Sequence, residues 1–210
     1  MIGSMSKNGA ILGAFALVCT AVVALTNELT VERIEQQHQQ EKLATLSALL
    51  PAGSYDNDLV GSCRLVTSAE YLGSPKPMPL YVARQGDTIT GYALETIAPD
   101  GYSGAIRLVV GFTQEGTITA VRTLEHKETP GLGDKIELKK SNWIERFKGR
   151  FLRPDNEASW AVKKDGGEFD AFTGATITPR AVVKAVKRVL MLQASHPELL
   201  ERAPACAQGE

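Results

Sequence analysis

The sequence predicts an α+β protein: one N-terminal transmembrane helix and stalk, followed by a mainly antiparallel-sheet domain with flanking helices. Three observations carry this prediction. Residues 9–26, GAILGAFALVCTAVVALT, hold no charged side chain. Residues 27–50 are rich in Glu, Gln and Lys and contain neither Gly nor Pro. From Pro79 onward, β-branched, partly alternating runs are separated by short Gly-bearing turns, the pattern of a strand meander.

Taken in order, the apolar run would span roughly 27 Å as a helix, close to the hydrocarbon thickness of a bilayer. Three fates are open to it. It can remain as an anchor, giving a cytoplasmic N-terminus and transmembrane helix over residues 1–26. It can be cleaved, with Val22-Val23-Ala24 as a weak cleavage site. Or Cys19 can serve a lipoprotein signal, although Val18 stands where a small residue belongs. Lys7 precedes the run, while Glu28 and Glu32 follow it. The positive-inside bias therefore puts the main domain outside the cytoplasm.

Residues 27–50 have the composition of a stalk helix. Leu43, Leu46, Leu49 and Leu50 form a late apolar stripe, and Pro51 with Gly53 ends it. Residues 51–203 form the main domain. The stretch YLGSPKPMP, residues 71–79, reads as a loop because of its three prolines. Strands are expected at PLYVAR, TITGYALETI, GAIRLVVGFT and TITAVRTLE, with hairpin turns at Gln85-Gly86-Asp87 and Gln114-Glu115-Gly116. SNWIERFKGRF reads as a short helix capped by Ser141, with Trp143 and Phe147 on one face. SWAVKK reads as a further strand, turned by Asp165-Gly166-Gly167. Thr178 at N-cap and Pro179 at N1 open a last helix, whose Val182, Val183, Val186, Val189 and Leu190 recur at helical spacing. Residues 204–210 read as a loose tail.

Net charge is −1, so the sequence carries no basic field of the kind nucleic acid requires, and no nucleic-acid partner is expected. Three cysteines are too few for a disulfide scaffold. Cys63 and Cys206 either pair in an oxidising compartment or remain two thiols; nothing in the sequence requires the pair. No cysteine cluster suggests iron–sulfur ligation, and His196-Pro197-Glu198 has no metal spacing, so no metal site is expected. GYSGA, residues 101–105, narrowly misses a nucleophile elbow, with Ala105 where the last glycine belongs. No nucleophile–base pair is visible, and no catalytic residue is assigned. The basic residues between Lys135 and Arg150 read as a solvated helix face or as a docking patch for a partner subunit. His126 reads as a satisfied surface histidine.

The richest stretch is DAFTGATITPRAVVKAV, residues 170–186. Its Thr-Gly-Ala-Thr turn lies just before a helix start, where free N–H groups and the helix dipole attract anions such as phosphate. Gly174 permits a close approach that a side chain would block, and Thr173 and Thr176 supply hydroxyls there. This chemistry fits either a phosphate site or a plain structural cap. Thr176 has no His or Lys beside it in sequence to act as base.

Asp170-Ala171-Phe172-Thr173-Gly174-Ala175-Thr176 resembles the flavinylation motif of FMN-binding-domain proteins. In that family the final threonine carries FMN through a phosphoester, a role that falls on Thr176. A second block, HKETPGLGDKI at residues 126–136, resembles the family's Glu-Thr-Pro-Gly-Leu-Gly loop against the flavin. With one N-terminal anchor and this chain length, the sequence is similar to the G subunits of Rnf-type ion-translocating electron-transport complexes. The C subunits of sodium-translocating NADH:quinone reductases share the motif but are longer.

The resemblance implies a covalent FMN cofactor at Thr176, with Thr173, Gly174, Ala175 and Asp170 around it. It implies a flavin wall from Glu128, Thr129, Gly131 and Leu132, with Tyr102 as a neighbour. Thr173 stands where many relatives have Ser and keeps the hydroxyl. The implied function is electron relay between NADH and ferredoxin-linked centres, as one component of a complex rather than a stand-alone enzyme. The implied partners are the other membrane and iron–sulfur subunits, a flavin transferase that uses FAD and a divalent metal, and membrane lipid. The implied location is the bacterial inner membrane, single-pass, with the main domain in the periplasm. A membrane-tethered flavin sensor or assembly module is the competing class, separable by co-purification with redox-active, multi-span partners.

Overall fold

The computed structural model describes residues 2–51 and 53–206. The chain divides into two compact units, Met1–Leu43 and Ala44–Glu210. Helix α1 runs from Ile2 to Leu49. Its stretch Ser6–Val31 is 26 residues long, with a mean hydropathy of 2.3 and no burial inside the protein. Its large apolar side chains, from Ile11 to Val31, are exposed. That is the surface a single membrane-spanning anchor presents to lipid.

The second unit is built on an antiparallel sheet. Strand β1 (Arg64–Ser68) leads through the one-turn helix α2 (Ala69–Leu72) into β2 (Ser74–Gln85). Strands β3 (Thr88–Ala98), β4 (Ile106–Thr113) and β5 (Ile118–Glu125) follow. The sheet order is β1-β2-β3-β4-β5, each strand antiparallel to its neighbour. The expected meander is therefore present, with one strand more than the sequence suggested.

That extra pairing corrects the reading of residues 71–79 as a loop. Ser74 to Pro79 is the start of β2, and it pairs with β1 through Leu65↔Pro79 and Val66↔Met78. Pairing of β2 with β3 begins only at Leu80↔Leu94. Pro75, Pro77 and Pro79 thus lie where one side of the strand has no neighbour, so their missing N–H breaks no ladder bond. SWAVKK is also corrected. It contributes only an isolated bridge, Val162↔Phe169, and a 3-10 turn at Lys163–Asp165. SNWIERFKGRF is helical but as a 3-10 turn, Asn142–Phe147, and Ser141 Oγ accepts from Trp143 N–H as expected of a cap.

Side chains alternate between two sheet faces. One face, with Leu80, Val82, Tyr92, Leu94, Leu108, Val110 and Phe112, shares a core with helix α3 (Ile177–Ser195) through Val182, Val186 and Val189. A short helix α4 (Pro197–Glu201) adds Leu200. The other face, with Tyr81, Ala83, Ala93, Val109 and Ala120, packs on the end of α1 through Leu46, Leu49 and Leu50. Each of these leucines contributes roughly 2 kcal/mol on burial. Gly111 allows the approach, since a Cβ there would lie 2.8 Å from Leu49 O. Of the expected leucine stripe, only Leu43 is left exposed.

Cys63 and Cys206 form a disulfide, which resolves the two readings of these cysteines. Residues 204–206, assigned above to a loose tail, are held against β1. Leu65 N donates to Pro204 O at 2.8 Å, and Arg64 bridges Ala205. Residues 207–210 lie outside the described residues.

Candidate functional site

An aromatic platform sets the position of the Asp170–Thr176 motif. Phe147 stacks on Phe169 at 4.7 Å, and Trp143 meets Phe147 and Phe172 edge-on at 5.5 and 5.2 Å. Such pairs add directional attraction to area burial. Trp143 Nε1 also donates to Asp170 O at 2.8 Å. The motif therefore enters the site from a fixed, buried base. The Asp170 carboxylate faces outward between Lys163 Nζ at 2.6 Å and Arg146 Nη1 at 2.7 Å. The hydrogen bond from Lys163, with the Arg146 charge in support, holds its carboxyl below the ordinary value of 3.8.

Phe172-Thr173-Gly174-Ala175 is a tight turn closed by Ala175 N–H to Phe172 O at 3.0 Å. Gly174 has φ +81°, and among the described residues no non-glycine has positive φ, so the turn is type II, with glycine at the position that requires it. Thr173 and Gly174 are exposed, while Ala175 and Thr176 are half-buried.

Helix α3 then begins earlier than the sequence suggested. Its N-cap is Thr176, with φ −87° and ψ −29°, and not Thr178. Pro179 consequently sits third in the helix, still inside the first turn where its missing N–H costs nothing. Thr176 makes no side-chain capping bond. Its Oγ1 instead accepts from Lys164 Nζ at 3.0 Å. The sequence showed no lysine beside Thr176; the fold brings one from twelve residues upstream.

The second block forms the facing wall. Thr129-Pro130-Gly131-Leu132 is again a type II turn, with Gly131 at φ +79° and Leu132 N–H donating to Thr129 O at 3.1 Å. Leu132 is 42 % exposed, yet its Cδ2 lies 3.5 Å from where a Cβ on Gly174 would stand. This near-contact joins the two motifs, about 40 residues apart in the chain, into one place.

Glu128 anchors that wall. It is 5 % exposed; Oε1 accepts from Ser103 N–H at 3.1 Å and Oε2 from the Thr178 hydroxyl at 2.5 Å. The side chain that the resemblance set against the flavin is thus committed to tying three segments together: the 101–105 loop, the wall turn and the first turn of α3. Gly133 makes room for it, since a Cβ there would stand 2.7 Å from Glu128 Oε2. Tyr102, beside Ser103, is 67 % exposed. His126 is satisfied, its ring bonding Glu137 at 2.8 Å and accepting from Glu128 N–H at 3.0 Å.

The site therefore combines a hydroxyl at a helix start, a cation on that hydroxyl, an open glycine turn and exposed Tyr102 and Leu132. These residues fit FMN. The glycine turn leaves room for a close approach, the helix start and Lys164 suit its phosphate, and the exposed tyrosine and leucine suit its ring. Sequence reading gave no role at this site to Lys163, Lys164, Arg146, Trp143 or Thr178. The one available signal was the Lys-Lys-Asp-Gly-Gly run, a cation pair on a glycine-closed turn.

Comparison with known proteins bears on both units. Residues 101–191 match the model of the FMN-binding domain, and residues 1–49 match that of the RnfG N-terminal region. The chain is 51 % identical to the G subunit of the ion-translocating oxidoreductase complex of Shewanella loihica, over 97 % of this chain and 96 % of that one. It is 49 % identical to the same component in Vibrio cholerae over the full length of both. The crystal structure of Shewanella oneidensis NqrC shares the fold, with a TM-score of 0.50 and 20 % identity over 73 % of this chain and 76 % of that one. With full-length relatives at about half identity and both family regions in place, the chain belongs to the RnfG family, the G subunits of ion-translocating oxidoreductase complexes.

Proposed function

We propose that this chain is the electron-relay flavoprotein of an Rnf-type complex, carrying FMN esterified to Thr176 Oγ1. The observation that carries the reading is the meeting of the two motif turns at Gly174 and Leu132, with the Thr176 hydroxyl turned away from helix capping. FMN exchanges either one or two electrons, so it suits a relay between unlike carriers.

The residues of this chain divide the remaining work. Thr176, at the start of α3, holds the phosphate end. Thr173, Gly174 and Ala175 give the turn its open shape, and Asp170 fixes its entry. Thr129, Gly131, Leu132 and Tyr102 wall the ring, with Glu128 bracing them from beneath. The apolar helix at Ser6–Val31 anchors the chain in the inner membrane. The Cys63–Cys206 bond favours an oxidising compartment for the main domain, hence the periplasm. The remaining membrane and iron–sulfur subunits are its redox partners, and a flavin transferase with FAD as donor loads it.

Intact mass of the full chain from native membranes, with in-gel fluorescence after denaturation, tests this directly. The native protein should carry one FMN adduct, and Thr176→Ala should be dark yet folded. An adduct that survives and maps to Thr173 or Thr178 would overturn the assignment.

A further inference from the structure

Three successive side chains of the Lys163–Asp165 turn grip the attachment motif and the helix after it. Lys163 Nζ lies 2.6 Å from Asp170 Oδ1. Lys164 Nζ donates to Thr176 Oγ1 at 3.0 Å. Asp165 accepts from Arg180 Nε and Nη2 at 2.6 and 2.8 Å. The first and third contacts join opposite charges. The middle one sets an ammonium on a neutral hydroxyl.

The backbone fixes this arrangement. Lys163 N–H donates to Phe169 O at 2.7 Å, and Gly167 N–H to Val162 O at 3.1 Å. Gly166 takes φ +87°, and Gly167 has no space for a side chain, since a Cβ would stand 2.0 Å from Ala161 O. The turn is thereby pinned to the chain segment that also carries Phe169, so the position of Lys164 is a property of the fold.

We propose that Lys164 is the phosphate-holding cation of the attachment site: it orients the Thr176 hydroxyl before loading and pairs with the phosphodiester anion afterwards. The proposal rests on Thr176 as the ester site. In the transfer, the Oγ1–P bond forms, the bond between the two phosphates of FAD breaks, AMP departs, and the hydroxyl proton passes to a base of the transferase. Lys164 is a hydrogen-bond donor throughout and takes no proton. Its charge stabilises the anion on the oxygen it already touches, as charge-assisted bonds to phosphate do. Asp170 and Asp165 keep Lys163 and Arg180 occupied, which leaves Lys164 as the cation for the ester.

The test uses full-length chain in detergent, loaded in vitro by the transferase with FAD and a divalent cation. Loading is followed by intact mass and the ester by its phosphorus NMR resonance. We expect Lys164→Met and Lys164→Ala to load about tenfold slower than the unaltered chain. Lys164→Arg should come within about twofold of it, and Lys148→Ala, an exposed lysine elsewhere, should load normally. After prolonged loading, Lys164→Met should show a displaced phosphorus resonance. Unchanged loading or an unchanged resonance in Lys164→Met, with melting temperature preserved, would overturn the proposal. Failure of the Thr176 reading looks different: the unaltered chain then carries no adduct, or Thr176→Ala still carries one.

Discussion

The two turns that meet at the site share a backbone shape and differ in what holds them. Both are type II turns, with Gly131 at φ +79° and Gly174 at φ +81°. The wall turn is braced from within the protein by Glu128, whose carboxylate serves Thr178 and Ser103 while 5 % exposed. The Thr173-Gly174 turn stands on buried Phe172 and on Trp143, whose Nε1 holds Asp170 O, but its side-chain contacts to cations are outside. Asp170 meets Lys163 and Arg146 at the surface, where ion pairs contribute little to stability, and Lys164 meets the Thr176 hydroxyl there too. The wall turn is therefore a part of the fold, whereas the polar clasp on the Thr173-Gly174 turn can open at small cost.

Breaking the internal brace should have the largest effect. Glu128→Ala removes the acceptor for two bonds and leaves a buried Thr178 hydroxyl unpaired. We expect a loss of about 3 kcal/mol in urea unfolding of the full chain. A loss below about 1 kcal/mol would erase the distinction between the turns.

Gly131→Val should act next. A Cβ at Gly131 meets nothing within 4 Å, so the folding cost is backbone strain alone, roughly 1–2 kcal/mol. On equally loaded protein we expect a shifted flavin absorbance or midpoint potential, with loading at Thr176 retained. An unchanged spectrum and potential would place the loop away from the ring.

Acid should give the smallest effect, confined to the outer clasp. Hydrogen bonds from Lys163 and from Arg180 hold Asp170 and Asp165 respectively below the ordinary 3.8. Depressed carboxyls stabilise at every pH above their unfolded value and lose that contribution as pH falls through the folded one. Carboxyl NMR titration should thus show no change between pH 8 and 5 and midpoints under 3.8 for both residues. A midpoint at or above 3.8 would mean that the clasp does not persist in solution.

Much of this architecture was legible because period-two alternation and turn residues are local signals. TITGYALETI and GAIRLVVGFT carried them, and β3 and β4 are where they were expected. Ser74 to Pro79 was not legible, since three prolines look like a loop until β1 is known to lie on one side and, among the described residues, no paired strand on the other. SWAVKK had a strand's composition but pairs only through the single Val162↔Phe169 bridge. The Asp170–Thr176 motif was legible by resemblance alone; its physics also fits an ordinary cap. Lys164 and the Glu128–Thr178 bond, spanning fifty residues, exist only once distant segments have docked, and no spacing rule announces them.

The pairing of residues 204–206 with β1 has a consequence for how the domain is made and kept soluble. An outer strand is a template on which another chain can add itself. Here the last described residues occupy that rim, and Gly149 and Arg150 do the same for Ile118 at the opposite rim, each through a 2.8 Å backbone bond. The Cys63–Cys206 link spans 143 residues, and closing so long a loop removes roughly 5 kcal/mol of disorder from the unfolded chain. At the β1 rim this protection does not exist until residues 204–206 leave the ribosome, and the covalent link waits further for an oxidant. A chain truncated before Pro204 should emerge with β1 bare and prone to aggregation, even with every flavin-site residue in place.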